Sequence, residues 1–89
     1  MHQLLIDAIH ERRIVTFAYD GERRMVEPHC YGQDSKGHRA LRAFQLGKGW
    51  RLFHVSEAWG LQATDERFPG PRPGYRRGDR HMQAIFAQL

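Results

Sequence analysis

The stretch Ile14–Tyr31, IVTFAYDGERRMVEPHCY, contains the pattern that decides the fold. Its first part alternates side chains with a period of two and is rich in β-branched and aromatic residues, which predicts a strand. Asp20-Gly21 then predicts a two-residue hairpin turn, because glycine adopts positive φ freely and aspartate tolerates it. A second strand should follow over about Arg23–Tyr31, in which Pro28, lacking an amide proton, indicates an edge position or a β-bulge.

Outward from this hairpin, the sequence predicts three more strands separated by short polar or glycine-bearing segments. They are His38–Leu46, Trp50–Ser56 and a short fifth strand around Leu61–Thr64. Before the hairpin, apolar residues recur at helical spacing over His2–Arg12. This spacing predicts an N-terminal helix that covers one face of the sheet.

The last third of the chain predicts an irregular arm and then a helix. The segment Phe68–Gly78, FPGPRPGYRRG, holds three prolines and three glycines, which is typical of an extended surface arm. Over Asp79–Leu89 a C-terminal helix is predicted, with Asp79 as its N-cap. The apolar stripe of this helix consists of Met82, Ile85, Phe86 and Leu89.

Together these elements predict a mainly β (α+β) fold. We expect a small, five-stranded, strongly bent β-barrel with an N-terminal and a C-terminal helix. Residues 1–68 should form the barrel domain. Residues 69–89 should form the arm and the C-terminal helix, packed on the domain or on a partner.

The composition favours an anionic partner. The 89 residues suffice for one core only, and the formal charge is +4 with a pI near 9.8. Twelve of the fourteen basic residues are arginine, whose guanidinium can both fork onto phosphate and stack on a ring. A solvated, arginine-rich surface would give the same composition.

The single cysteine, Cys30, excludes an intramolecular disulfide, and no signal or spanning segment is evident, so a cytoplasmic location is expected.

Several segments, taken in order, resemble one family. They are ERRIVTFAYDGERRMVEPH (11–29), GHRALRAFQL (37–46), GWRLFHVSEAWGL (49–61) and Phe68, and together they resemble the WYL domain. The resemblance covers about Ile6–Phe68. It implies an Sm-like β-barrel and a role as a sensor or ligand-binding module, mostly in bacterial transcription regulators.

The sequence departs from the family pattern at two places. Arg39-Ala40-Leu41 stands where the family has Trp-Tyr-Leu, and Phe44 stands where tyrosine is common. Ligand contacts that belong to those lost aromatic residues are therefore not transferred. The usual winged-helix DNA-binding domain does not fit into 89 residues, so a stand-alone module is expected.

The hairpin of the third and fourth strands carries the main candidate ligand residues, and its register allows two arrangements. A three-residue loop, Gly47–Gly49, leaves two faces. One face then holds Arg42, Phe44, Trp50, Leu52 and His54, and the other holds Leu41, Ala43, Arg51, Phe53 and Val55. A four-residue loop instead groups Arg42, Phe44, Arg51 and Phe53.

Six residues are predicted as ligand contacts. They are Arg51, Arg42, Phe44, Tyr19, His29 and Arg24. Arginine beside an exposed aromatic side chain is typical of sites for nucleotides and single-stranded nucleic acid. Arg51 is the first choice, because it matches the arginine two residues before the phenylalanine of the WYL pattern. The alternatives are that Phe44 is core, that Tyr19 is half-buried and that His29 is a satisfied surface histidine.

The sequence gives little support to catalysis, a metal or a cofactor. Six histidines are present, and His29-Cys30 with His38 could in principle supply ligands, but no C-x-x-C or H-x-x-x-H spacing occurs. We therefore predict no metal site, no cofactor and no enzyme.

The arm Pro69–Arg80 carries Arg72, Arg76, Arg77 and Arg80 around Tyr75 and is either a phosphate clamp or a solvated connector.

Two functions follow as hypotheses. The first is a non-enzymatic WYL-type ligand-binding or sensor module, which can have a regulatory role and binds an anionic ligand, either a nucleotide or single-stranded nucleic acid. The second is a protein–protein interaction module that forms a homodimer through the C-terminal helix. No membrane contact is expected.

Overall fold

The computed structural model describes all residues from Met1 to Leu89 and contains one α-helix and six strands. Their order is α1 (His2–Glu11), β1 (Arg13–Tyr19), β2 (Glu22–Gln33), β3 (Arg39–Gln45), β4 (Gly49–His54), β5 (Trp59–Arg67) and β6 (Ala84–Gln88), with a one-turn 3-10 helix (Val55–Glu57) before β5. The strands pair antiparallel in the order β4-β3-β2-β1-β5, and β6 pairs with β2. Because β4 and β5 do not pair, the sheet is open.

The long strand β2 organises the sheet. One side of β2 pairs with β3, while its other side pairs first with β1 along Glu22–Val26 and later with β6 along Cys30–Gln33. Pro28 lies between the part of β2 that pairs with β1 and the part that pairs with β6. The β2–β3 register shifts between Pro28 and Cys30, so His29 is the extra residue of a β-bulge. The bulge expected near Pro28 is confirmed.

The main core lies between α1 and one face of the sheet, here called the inner face. Its largest buried side chains are Tyr31, Phe17, Phe53, Leu5, Ile9 and Leu41. The rings of Phe17, Tyr19 and Phe53 pack edge-to-face, with centroids 5.0 to 6.2 Å apart. The alternation predicted for β1 therefore aims its aromatic residues into this core.

A second, smaller apolar cluster lies on the opposite, outer face of the sheet. Cys30, Ala40 and Met82 are buried there, and the partly buried Leu52, Tyr75 and Ile85 pack against them. Tyr75 belongs to the arm, Pro69–Arg80, which contains no helix or strand, as its proline and glycine content predicts. The arm thus covers part of the outer face.

The expectation of a five-stranded closed barrel with a C-terminal helix is wrong. The sheet is open and has six strands, and the stretch predicted as a helix over Asp79–Leu89 contains β6 instead. A short isolated helix is marginal in water, whereas β6 pairs with the part of β2 that β1 leaves free. The apolar stripe divides: Met82 and Ile85 join the outer cluster, while Phe86 and Leu89 pack on the main core. The predicted dimer therefore has no C-terminal helix through which to form.

The β3–β4 hairpin has the first of the two face groupings. Phe44 pairs with Trp50, Arg42 with Leu52 and Leu41 with Phe53. A three-residue loop, Gly47–Gly49, would pair Leu46 with Trp50. In the structure each residue of β3 instead pairs with the residue of β4 two positions earlier, and a shift of two positions leaves the faces unchanged. Arg42, Phe44 and Trp50 consequently share the outer face, and Arg51 lies on the inner one.

Neither α1 nor the 3-10 turn has the length and apolar character that crossing a bilayer requires.

A substitution at Gly32 tests whether close packing of β6 on β2 stabilises the chain. A Cβ at this position would collide with the carbonyl oxygen of Ala84 and crowd Ile85 and Met82. We expect Gly32→Ala to lower the free energy of unfolding by roughly 1–3 kcal/mol and to remove amide-exchange protection from β6. Gly47→Ala is the control, because Gly47 has a φ of 80° but a Cβ added there would have no neighbour within 4 Å. It should lose stability yet keep the protection of β6, and equal protection in both variants would contradict this role for Gly32.

Candidate functional site

The arm is attached to the outer face of the sheet at the β-bulge residue His29. The His29 side chain is fully buried among three aromatic rings. Its ring centroid lies 4.7 Å from that of Trp50, 5.0 Å from that of Tyr75 and 5.6 Å from that of Phe68. The arm begins directly after Phe68, so the first contact between arm and sheet is made at this histidine.

Both ring nitrogens of His29 are used in hydrogen bonds. Nδ1 lies 2.8 Å from the Glu27 carbonyl oxygen, which can only accept, so Nδ1 carries the proton. Nε2 accepts the main-chain N–H of Arg72 at 3.1 Å. Burial lowers the pKa of His29, a shift that the hydrogen bond to Glu27 and its carboxylate oppose and the Arg72 charge reinforces. His29 is therefore a neutral residue that fixes the arm, and it has no free nitrogen for a metal.

Arg72 makes the second attachment of the arm. Its Nε and Nη2 donate to the two carboxylate oxygens of Glu27 at 2.7 and 3.0 Å. The Glu27 side chain is only 6% exposed, so loss of this partner would leave a buried carboxylate uncompensated. The guanidinium also lies over the Phe44 ring, with Cζ 4.2 Å from the centroid. Arg72 and Phe44 therefore help to hold the arm on the sheet.

Tyr75 makes the third attachment. Its hydroxyl donates to the His29 carbonyl oxygen at 3.1 Å, and its ring stacks on Trp50 at 5.9 Å with 23° between the planes. Burial raises the pKa of Tyr75 to about 12, and burial likewise raises the pKa of the neighbouring Cys30 thiol to about 11. Both groups are protonated at neutral pH, so neither has the character of a nucleophile.

Arg42 joins the end of the arm to β3. Its Nε donates to Asp79 Oδ2 at 2.7 Å, and its Nη2 lies 2.9 Å from Nδ1 of His81. Burial by itself raises the pKa of Asp79, but the hydrogen bonds from Arg42 and from the His81 main chain outweigh it, and the net pKa is lowered. Asp79 is therefore an anion already neutralised by Arg42.

These attachments leave a basic cleft of about 420 Å³ between the arm and the β3–β4 hairpin. The residues that line this cleft are Arg42, Trp50, Gly74, Tyr75, Arg76, Arg77, Gly78, Asp79, Arg80 and His81. Four of them are arginines and one is a carboxylate, so the cleft has an excess of positive charge. The side chains of Arg76, Arg77 and Arg80 are exposed to solvent.

The structure divides the six predicted ligand residues between the two faces of the sheet. Arg42 lines the basic cleft, and the two outer-face residues His29 and Phe44 hold the arm beside it. The other three residues, Tyr19, Arg24 and Arg51, lie on the inner face, so no single surface gathers all six.

Each of the three inner-face residues makes a contact within the chain. Tyr19 packs in the core, and its hydroxyl accepts the N–H of His54 at 3.1 Å. Arg24 is buried and donates to the Tyr19 carbonyl and to Gln45. The Arg51 guanidinium lies 5.6 Å above the Phe53 ring.

The sequence missed the convergence of β3 and the arm. The sequence shows that arginines are concentrated around Tyr75 in the arm, but nothing in the linear pattern links them to Arg42 and Trp50. The link is made by two tertiary contacts, namely the Asp79–Arg42 ion pair and the Tyr75–Trp50 stack.

Comparison with known proteins addresses the fold. No protein-family model matches the chain, and no curated protein matches it. Among solved structures, the chain is similar to proteasome accessory factor B/C (PafBC) of Arthrobacter aurescens, with a TM-score of 0.72 at 24% sequence identity. The similarity covers 85% of this chain and 13% of the PafBC chain, which contains a WYL domain. The chain therefore has a WYL-like fold. At this level of identity the similarity shows the fold alone.

The buried neutral His29 predicts a pH-dependent stability. An unfolded histidine has a pKa of about 6.5 and the folded one a lower pKa, so the unfolded state takes up the proton first as the pH falls. The free energy of unfolding should therefore decline as the pH falls below about 6.5. Urea unfolding at several pH values between 8 and 5 measures this decline.

Two variants isolate the contribution of His29. His29→Gln offers an amide in place of the imidazole and does not titrate, so its stability should vary less between pH 7.5 and 5.5. His10→Gln changes an exposed histidine of α1 and should keep the pH dependence of the parent chain. An unchanged pH dependence in His29→Gln would show that another group is responsible.

Proposed function

We propose that the chain is a regulatory, non-enzymatic sensor module of WYL type that binds a phosphate-bearing ligand in the basic cleft. The ligand class is a nucleotide or single-stranded nucleic acid. The observation that carries this proposal is the convergence of four guanidinium groups beside the Trp50–Tyr75 stack. These are the groups of Arg42, Arg76, Arg77 and Arg80.

The charge of the cleft supports an anionic ligand. Its only carboxylate, Asp79, is already paired with Arg42. Arg76 and Arg80 make no hydrogen bond or ion pair within the chain, and Arg77 uses only Nε, which donates to the main-chain oxygen of Leu89. Their remaining donors can reach phosphate oxygens without breaking an existing contact, in the bidentate geometry that arginine favours.

The aromatic wall supports a ligand that also has a base. Trp50 is half-buried, with Tyr75 stacked on it and Phe44 against it edge-to-face at 5.6 Å. These neighbours hold the indole in place at the edge of the cleft. Stacking of a base on such a ring contributes roughly 1–3 kcal/mol.

The WYL-like fold supports a regulatory sensor role. PafBC is more than seven times as long as the segment matched here, so the role of that whole protein is not transferred. The non-enzymatic part of the proposal rests on the cleft itself, which offers no paired carboxylates and no ionised nucleophile at neutral pH.

Binding of two probes tests the proposal. A fluorescein-labelled 15-mer oligothymidylate and a fluorescent ATP analogue are titrated with the chain at low and high salt, and anisotropy is recorded. We expect salt-sensitive binding of at least one probe. Arg76→Ala/Arg80→Ala should weaken binding roughly tenfold or more and should reduce the salt slope for the oligonucleotide by about 1.4.

The matched control is Lys48→Ala/Arg67→Ala, which removes the same charge from two exposed residues outside the cleft. It should retain most of the affinity. In a Trp59→Phe background Trp50 is the sole tryptophan, and its fluorescence should be quenched if a base stacks on it. The proposal is rejected if neither probe binds with salt sensitivity, or if the control loses as much affinity as the cleft variant.

A further inference from the structure

A second group of polar side chains lies at the tip of the β2–β3 hairpin, outside the basic cleft. Asp34, His38 and His54 each offer one potential metal-ligating atom, and these three atoms lie within 4.8 Å of one another. Two imidazoles with one carboxylate form a ligand set that divalent transition-metal ions bind. None of the three residues lines the basic cleft or holds the arm.

The hairpin turn holds Asp34 and His38 on the same side. Asp34 Oδ1 accepts the main-chain N–H groups of Lys36 and His38 at 2.9 and 2.8 Å, and the Asp34 N–H donates to the His38 carbonyl at 2.9 Å. The other carboxylate oxygen, Oδ2, lies 3.6 Å from His38 Nδ1. One oxygen therefore orders the turn, while the second is left for a ligand.

The third residue, His54, is placed by strand pairing. It lies opposite Ala40 at the end of β4, and its main-chain N–H donates to the Tyr19 hydroxyl. Its ring centroid lies 5.6 Å from that of His38, with 80° between the planes. Neither nitrogen of the His54 ring makes a hydrogen bond within the chain, so a lone pair is available on a backbone that is already fixed.

We propose that Asp34, His38 and His54 bind a divalent transition-metal ion of the zinc class. Bonds of about 2.0–2.2 Å in a tetrahedral site place ligand atoms roughly 3.4 Å apart. The three atoms already lie within 4.8 Å of one another, so only small side-chain adjustments separate them from this spacing, and the His38 side chain, 58% exposed, has room to move. Three protein ligands leave the fourth position for water or an exogenous ligand.

The surroundings decide which ions fit. Lys36, Arg80 and His81 line the same depression, which makes it positive and supplies no second carboxylate. Calcium and magnesium depend on oxygen ligands and carboxylate charge, so they are disfavoured here. An ion that binds imidazole nitrogen depends less on carboxylate charge, which favours zinc or nickel over the alkaline-earth ions.

Calorimetric titration of the full chain with Zn²⁺, Ni²⁺ and Mg²⁺ tests this proposal. We expect one Zn²⁺ or Ni²⁺ per chain and no Mg²⁺ binding. His54→Ala removes one ligand and should weaken Zn²⁺ binding on the order of 10- to 100-fold or more. Asp34→Asn should also weaken it while keeping the oxygen that accepts the turn N–H groups, and its amide spectrum checks that the hairpin is intact.

His10→Ala is the matched control, because His10 is an exposed histidine on α1. It should bind Zn²⁺ as the parent chain does. Absence of stoichiometric Zn²⁺ binding, or equal losses in His10→Ala and His54→Ala, would overturn the proposal and indicate only adventitious binding by surface histidines. Arg80 and His81 line both the basic cleft and this depression, but none of the three proposed ligands is changed in the anion-binding test, so the two outcomes are distinguishable.

Discussion

The extra residue in β2, His29, is the constraint on which the outer face depends. A β-bulge places its imidazole among the rings of Trp50, Phe68 and Tyr75, where a charged histidine would be poorly solvated. The ring remains neutral because Nδ1–H donates to a carbonyl and Nε2 accepts the amide of Arg72. The same two bonds thus satisfy a buried polar group and attach an irregular arm to a sheet.

The two faces of the sheet consequently have different tasks. The inner face packs against α1 and contains most of the large buried side chains. The outer face has only a small apolar cluster, so its cover is stabilised largely by polar contacts such as Arg72–Glu27 and Arg42–Asp79. Those contacts pair the two acidic side chains near the arm, Glu27 and Asp79, with Arg72 and Arg42. The cleft arginines Arg76, Arg77 and Arg80 are left without an acidic partner. The positive charge of the proposed binding cleft follows directly from the way the arm is held.

Local patterns in the sequence were sufficient for the β1–β2 hairpin, since Asp20 and Gly21 adopt φ angles of 51° and 74° as such a turn requires. They failed at the C-terminus, where the apolar residues have helical spacing but the free edge of β2 pairs with the segment as a strand, with a register shift between Tyr31 and Gly32. Arg24 was predicted to contact a ligand, but its buried acceptors are the carbonyl of Tyr19 and the side chain of Gln45. Residue type indicates what a side chain can bind, whereas tertiary partners determine what remains available.

The tautomer of His29 tests most directly whether this histidine holds the arm. Long-range ¹H–¹⁵N spectra of the uniformly labelled chain at pH 7 distinguish the two ring nitrogens. A protonated Nδ1 and an unprotonated Nε2 are predicted, with a coupling across the hydrogen bond from the Arg72 amide to Nε2. A proton on Nε2 at this pH, in either the other neutral tautomer or the imidazolium, would contradict the account.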